Sequence, residues 1–450
     1  MRHTPARSMR TARTARTALS GAAVLGLALT ATACGGNASP GGGDKALSGQ
    51  SLTVAGVWTG VEQKNFKQVL DAFTEKTGAK VSFSSTGDNV STVVGSQIEG
   101  GNAPDVVMVP QVGVLQQFAK KGWLEPLSKD VDAAATKNYA KVWKDYGTVG
   151  KKYYGLYFKA SHKSMVWYSP QAFSQAGVKP ATTYDEMLKS GRTLSDSGVP
   201  AFSVAGEAGW PLTDWFENIY LSQAGADKYD KLAAHKIPWT DPSVVKALTT
   251  LGKLFGDKNL VAGGGAGALR TDFPESVQQV FGPQPGAAMT HEGDFVGALV
   301  KDELNKQVGK DAKFFPFPSV DDGKAPVVSG GDAAVVLKAG QNKKAAMELV
   351  KYLASPEAAG IWAKQGGFIS PNAKVPASDY QDEVTRQAAK SLTDAGNSVR
   401  FDMSDQAPAA FGGTQGAGEW KLLQDFLRDP SDPKATAAKL EAAAAKAYRN

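Results

Sequence analysis

A single cysteine, Cys34, stands in 450 residues. An intramolecular disulfide, a CxxC zinc site and a cysteine-ligated iron–sulfur cluster are therefore excluded. Histidine is almost as scarce: beyond His3 there are only His162, His235 and His291, none paired at metal-ligand spacing. No Gly-x-Ser-x-Gly elbow, His-Glu-x-x-His pair or Walker A loop occurs, so the common signatures of hydrolase, metalloprotease and nucleotide chemistry are missing. Asp241-Pro242 reads as a helix start. Nor is there a real excess of positive charge. The formal +6 includes five arginines within residues 1–33, a stretch without Asp or Glu, so the remainder carries +1. A nucleic-acid-binding reading of the body loses its support. What is abundant is apolar content, 42% of the chain, enough for a large core spread over more than one ordinary domain.

The arginine-rich start leads into the apolar stretch 19–33, diluted by Ser20, Gly21, Gly26, Thr30 and Thr32. It is shorter than the ~20 apolar residues a bilayer span needs and suits the core of a secretory signal. Ala31-Thr32-Ala33-Cys34 resembles the lipobox of bacterial lipoproteins, with Ala31 where leucine is usual. That resemblance implies removal of residues 1–33, lipidation of Cys34 and attachment to the cell membrane on its outer side. Gly35 to Gly43 has nothing apolar to bury and reads, through residue 50, as a flexible tether.

From Leu52 the pattern alternates. Leu52–Trp58 reads as a strand, and Phe66, Val69, Leu70 and Phe73 mark one helical face ended by Gly78. Strands at 81–84 and 104–109 alternate with helices at 90–98 and 114–118. The expectation is an α/β fold with a mostly parallel sheet covered by helices on both faces. Ligands in such sheets sit beyond the carboxyl ends of the strands, which nominates the loops 58–60, 85–89 and 110–111. Residues 169–313, rich in aromatics and broken by Gly and Pro, suggest a second lobe. Residues 327–337 then read as another strand, followed by helical spacing through Ala346, Leu349, Val350 and Leu353, a helix opened by the capping Ser355-Pro356, and another at 437–448.

Several phrases appear in a telling order: Gly-Asn-Ala-Pro-Asp-Val-Val at 101–107, Gly-Trp-Leu-Glu-Pro-Leu at 122–127, Ala-Met-Thr-His-Glu-Gly-Asp-Phe at 288–295, and Gly-Gly-Phe-Ile-Ser-Pro-Asn at 366–372. The chain resembles the family 1, maltose-binding-like solute-binding proteins of ABC importers. Trp-Pro-Leu-Thr-Asp-Trp at 210–215 and Phe-Asp-Met-Ser-Asp at 401–405 are most similar to the α-glucoside-binding branch. The resemblance implies a two-lobed periplasmic-binding-protein fold, each lobe a mostly parallel sheet flanked by helices, with the ligand cleft between them. Its three crossings fall near Phe158, Gly331 and Ser378, dividing the chain into 51–158 with 332–378 and 159–331 with 379–450. It further implies a non-catalytic monomer that closes on an oligosaccharide and passes it to the transmembrane subunits of an ABC permease, without cofactor, metal or nucleic acid.

A sugar presents apolar C–H faces and a rim of hydroxyls, so its site needs aromatic planes with carboxylates or amides beside them. Trp58, after the first strand, is one candidate, against simple packing of a loop. Trp210 is expected to face the cleft and Trp215 the core. By family position Trp420 would stack on a ring, and Glu292, Asp294 and Phe295 would flank one, with Phe295 where tryptophan is common. Asp332 is a charge in an apolar run, costly unless paired or bonded to ligand; a structural partner at the crossing is the alternative. Asp402 and Asp405 could each instead cap a helix. Asp88, Gln111 and Lys163 follow from loop position. Val109-Pro110-Gln111-Val112 departs from the maltose receptor's pattern and speaks against maltose itself. Two other readings stay open: a secreted glycoside-active enzyme using a carboxylate pair ~5–9.5 Å apart, and a receptor for a peptide or polyamine.

Overall fold

The computed structural model describes residues 45–449; the signal and Cys34 anchor readings lie outside them. The tether reading ends earlier than residue 50. Leu47 is buried, and its amide donates to Thr77 O at 2.9 Å. An apolar side chain with a pocket at the end of the first helix does not stay in solvent, and it docks the chain before the first strand begins.

Among the described residues thirteen strands form two main sheets and a hairpin. Strands β1 (Ser51–Gly56), β2 (Lys80–Ser85), β3 (Val106–Val109) and β4 (Leu124–Glu125) belong to the first sheet. The hairpin is β5 (Thr148–Val149) with β6 (Lys152–Tyr153). Next come β7 (Gly155–His162), β8 (Met165–Tyr168), β9 (Phe202–Ser203), β10 (Met289–His291), β11 (Lys313–Pro316), β12 (Val328–Leu337) and β13 (Arg400–Phe401). The first sheet runs β13-β12-β3-β1-β2, with β4 and β7 also paired to β12. The second runs β11-β8-β10-β9.

The α/β, two-lobed expectation holds in outline, and the sheets are more mixed than expected. β1 lies parallel to β2 and β3, and β13 to β12, but β12 runs antiparallel to β3, β4 and β7. In the second sheet β8 is antiparallel to both neighbours and only β9–β10 is parallel. The physical reason is connectivity. Parallel pairing needs a crossover that brings the chain back to the same end. Here β7 carries the chain out of the first sheet, β12 returns it in the opposite sense, and β8 follows β7 after only two residues.

Local chemistry explains the elements around the sheet ends. Helix α1 (Gly60–Thr77) buries Val61, Phe66, Val69, Leu70 and Phe73. It stops at Gly78, whose φ of 81° lets its amide bond back to Thr74 O. Helices α2 (Val90–Glu99) and α3 (Val112–Lys120) repeat the pattern behind β2 and β3. Each of these strands thus delivers its carboxyl end to one loop cluster, at 57–60, 86–89 and 110–111. The helix starts read at Asp241 and Ser355 are capped as expected, Ser243 N–H donating to Asp241 at 2.9 Å and Ala358 N–H to Ser355 at 3.2 Å.

The first sheet is sandwiched between cores containing Phe66, Phe73 and Trp362 on one side and Leu115, Phe118 and Tyr157 on the other. Met187, Trp215, Phe216 and Leu248 build the main core of the second. All residues of β7 and β12 are buried, and they pair along almost their whole lengths. Among the described residues no helix is long and apolar enough to cross a membrane.

Candidate functional site

A cavity of ≈ 360 Å³ opens where the two sheets' loops face each other, within the usual range for small-molecule sites. One wall comes from the carboxyl ends of β1, β2 and β3: Trp58, Thr59, Gly60, Asp88, Pro110 and Gln111. The opposite wall comes from the second sheet's side: Glu207, Trp210, Asp272, Phe273, Phe295, Asp405 and Trp420. Between them the base is made by Lys159, Ser161 and Lys163 near β7 and by Gly331 and Asp332 of β12.

The base is where sequence most directly dictates geometry. Gly330 and Gly331 lie opposite Ser161 and Ala160. A Cβ on Gly331 would come within 2.7 Å of Lys159 O, and one on Gly330 within 2.9 Å of Lys163 Cε. At Gly331 the obstacle is backbone, so glycine is what lets the strands close this tightly beside Lys159. The register shifts between Asp332 and Ala333, an irregularity of the kind that re-aims a side chain beside a site. Asp332 thereby faces Lys159, whose Nζ lies 3.4 Å from it and 3.1 Å from Glu62 Oε1. Burial would lower the Lys159 pKa, but Glu62 and Asp332 more than offset it and the group is held charged. Burial raises both carboxylates, with Lys159 opposing.

Lys163 is the second buried cation. It donates to Asp402 at 2.5 Å and Asp214 at 3.2 Å, with Asp405 at 3.8 Å. One ammonium cannot keep three desolvated carboxylates ionised. Although burial works against it, Asp402 takes the ion pair, its pKa held down to about 2 by Lys163 and the Asp405 and Ser404 donors. Burial and neighbouring Asp402 push Asp405 far up, and Asp214 rises for the same reasons. Asp405 lines the cavity with its neutral form favoured relative to an ordinary aspartate. Asp88 on the opposite wall is raised to about 6 by burial, partly offset by hydrogen bonding from the Trp210 side chain.

The aromatic planes come from both walls. Trp210 opens helix Trp210–Ala233 after Gly209, whose φ of 97° suits glycine. Its ring sits 6.1 Å from those of Phe273 and Phe295 and 5.4 Å from Lys163 Nζ. Five residues on, Trp215 is in the core beside Phe202, His291 and Phe317. Trp420 lies on the same wall, is almost fully buried, and is backed by Gly209, where a Cβ would come 2.8 Å from the Trp420 Cβ. Trp58 has a double position. It lines the cavity, yet it is 3% exposed and wedged among Phe66, Phe158 and Trp362.

Of the residues nominated from sequence, Trp58, Asp88, Gln111, Lys163, Trp210, Phe295, Asp332 and Trp420 come together on this cavity. Glu292, Asp294 and Asp402 do not line it; the structure places them buried away from the cavity. Asp402 is consumed by Lys163 and by capping helix Met403–Gln406. Asp294 accepts from the His162 amide at 2.7 Å, and burial raises it to about 7. Both Glu292 oxygens are buried without a hydrogen-bond partner, and burial raises its pKa strongly.

Sequence reasoning missed Glu62, Lys159, Glu207, Asp272, Phe273 and Glu303. Lys159 carried a usable signal, a charge inside the apolar run Gly155–His162, the argument that nominated Asp332. The acids at 207, 272 and 303 resemble ordinary loop and helix-end carboxylates. Among the described residues no group of three His, Cys, Asp or Glu side chains is placed to hold a metal ion.

The family model for bacterial extracellular solute-binding proteins matches residues 58–360. The osmoprotective compounds-binding protein GgtB of Synechocystis sp. is 32% identical over 385 residues, covering 84% of this chain and 89% of that protein. The alpha-glucosides-binding periplasmic protein AglE of Rhizobium meliloti is also 32% identical, over 396 residues, covering 85% and 84%. Among solved structures, the solute receptor AcbH, described as exclusive for β-D-galactopyranose, superposes with a TM-score of 0.76 at 21% identity, over 89% of this chain and all of that one. A two-lobed fold with its cavity between facing loop clusters and a family match across most of the chain lead to one conclusion: the protein belongs to the bacterial extracellular solute-binding proteins of ABC importers, receptors rather than enzymes.

Proposed function

We propose that this protein captures an α-glucoside outside the cell membrane, held there by lipid on Cys34, and delivers it to an ABC permease. The observation that carries the sugar reading is the cavity wall itself. Trp58, Trp210, Phe273, Phe295 and Trp420 offer apolar planes, while carboxylates and Gln111 stand at their edges. That is the pairing a ring with apolar faces and a hydroxyl rim requires. The wall also bears seven carboxylates and two lysines, both lysines already engaged by acids, which disfavours an anionic solute such as a uronate or sugar phosphate. The name of AglE, a relative at 32% identity, supports an α-glucoside over an unrelated solute.

In this reading the lobes, 51–158 with 332–378 and 159–331 with 379–450, close on the sugar by bending at the β7 and β12 crossings. Closure buries the ligand and presents the permease with a surface the open form lacks. A tryptophan-fluorescence titration of the soluble chain beginning after Cys34, against α- and β-linked oligosaccharides, tests it. Saturation by α-glucosides with the sugar recovered intact is expected. Saturation by spermidine or a peptide instead, with silence across the sugars, overturns the reading. Labelling with a radioactive fatty acid, lost in Cys34→Ala, tests the anchor.

A further inference from the structure

At one side of the cavity mouth a single side chain reaches between the lobes. Glu303 follows helix Val296–Asp302 on the second wall, and its Oε1 accepts from the Val61 amide at the start of α1 on the first wall, at 3.2 Å. The cap residue of α1, Thr59, makes no side-chain capping bond of its own, so Glu303 supplies an acceptor that the helix start otherwise lacks. Gly60 makes the approach possible: a Cβ there would lie 2.8 Å from the same carboxylate oxygen. Val61 is buried, but Glu303 and Gly60 are exposed and the Glu303–Val61 bond is only part-buried, so water can replace the carboxylate at modest cost.

Beyond Glu303 lies a second hollow of ≈ 180 Å³, half the volume of the first, sharing Pro274, Leu299 and Glu303 with it. Its other lining is Val277, Gln278 and Leu304. An apolar floor thus continues from Phe273 in the main cavity through Pro274, with an amide and a carboxylate at its edge. These are again the chemical requirements of a pyranose ring.

We propose that Glu303 is a displaceable bar across the mouth of the cleft, and that the hollow outside it is a subsite for one additional ring of a longer saccharide. The proposal rests on the sugar reading above. A ligand that fills only the main cavity leaves the Glu303–Val61 link intact. A longer one pushes the carboxylate off α1, a hydroxyl takes its place at the amide, and the extra ring lies over Pro274 and Leu304 beside Gln278. Glu303 therefore sets the cost of chain length without deciding which sugar is bound.

Titration calorimetry with α-linked glucose oligomers of increasing length tests this on wild type, Glu303→Ala, Glu303→Gln and the double variant Glu303→Ala/Gln278→Ala. In wild type, affinity is expected to level off at the length that fills the main cavity. Glu303→Ala is expected to bind the next longer oligomer about tenfold more tightly, with little change for shorter ones. Glu303→Gln, which retains an acceptor of the same size, keeps the wild-type profile, and the double variant loses the gain for the longer oligomer alone. An equal loss at every length in Glu303→Ala would make Glu303 an ordinary ligand contact and overturn the bar. An unchanged length profile would overturn it too. Failure of wild type to bind any oligomer would instead overturn the glucoside reading, and the subsite with it.

Discussion

Lys163 shows how much one side chain carries here. Its ammonium is the counter-charge for Asp402, with Asp214 and Asp405 close by. Lys163→Met would leave Asp402 buried without its cation, a loss of about 3–5 kcal/mol in stability near neutral pH. The sign of the pH effect follows from Asp402. With its pKa held near 2 in the folded protein, its contribution is complete above the ordinary aspartate range and fades only as pH falls towards 2. Without Lys163 that pKa rises, so the stability deficit of the variant should shrink between pH 7 and pH 5. Denaturant unfolding at the two pH values checks this, and a constant deficit would count against the ion pair.

Asp88 has the opposite sign. Burial lifts it to about 6, so the folded protein takes up its proton before the unfolded chain does, and folding gains as pH falls from about 6 to 4. Asp88→Asn should therefore be relatively more stable than wild type at pH 7.5 and lose that advantage by pH 4.5, as measured by melting temperature without ligand. Comparing the two proteins at each pH cancels the titration of the buried His162 and His291, which runs the other way because burial depresses both to about 4. At this scale the sequence was a partial guide. Chemistry-bearing residues beside strand ends were legible because β1–β3 deliver their loops to one place. Asp402 and Asp405 could not be told apart, since which one faces the ammonium and which the cavity depends on a turn of backbone at Met403–Gln406. Glu303 was silent for another reason: its partner is an amide 242 residues away.

Among elements, the clearest dependence is of the Trp210–Ala233 helix on the residue before it. Gly209 has φ 97° and no room for a Cβ against Trp420. Gly209→Ala should cost about 1–3 kcal/mol for the strained backbone and should also displace one of the cavity's aromatic planes. A fall in melting temperature with an altered tryptophan emission maximum is the expected result; an unshifted spectrum would mean that Trp420 does not depend on this glycine. Elements with a clean period were readable in advance. Phe66, Val69, Leu70 and Phe73 fall on one face of α1, and Val106–Val109 is a fully buried strand. β9, β10 and β11 lack the unbroken apolar run that marks β3 and are too short to show a period. Nor does sequence state the direction in which β12 re-enters the sheet, because that follows from where the chain has been in between.

For the whole molecule, the long buried pair β7–β12 and the cavity above it are the geometry of two bodies hinged at a shared base. Small-angle X-ray scattering should show the radius of gyration falling when the preferred sugar saturates the soluble protein. The Asn89 side-chain amide already donates across the mouth to Gln415 Oε1 at 2.5 Å, so Asn89→Ala is expected to favour the open form and raise the dissociation rate. Identical scattering with and without sugar would rule out closure as the signal to the permease.

The docking of Leu47 has a mechanical consequence. Because that side chain is buried and Lys80 N–H donates to Gln50 O, the chain is clamped just before β1. β1 lies between β2 and β3, and all three run the same way, with the cavity at their far ends. A tug on the leading segment therefore arrives at the end of the lobe remote from the cleft. It is resisted by a ladder of hydrogen bonds loaded together in shear, rather than peeled one at a time. In the anchored receptor proposed above, a pull on that segment would put little torque on the jaws.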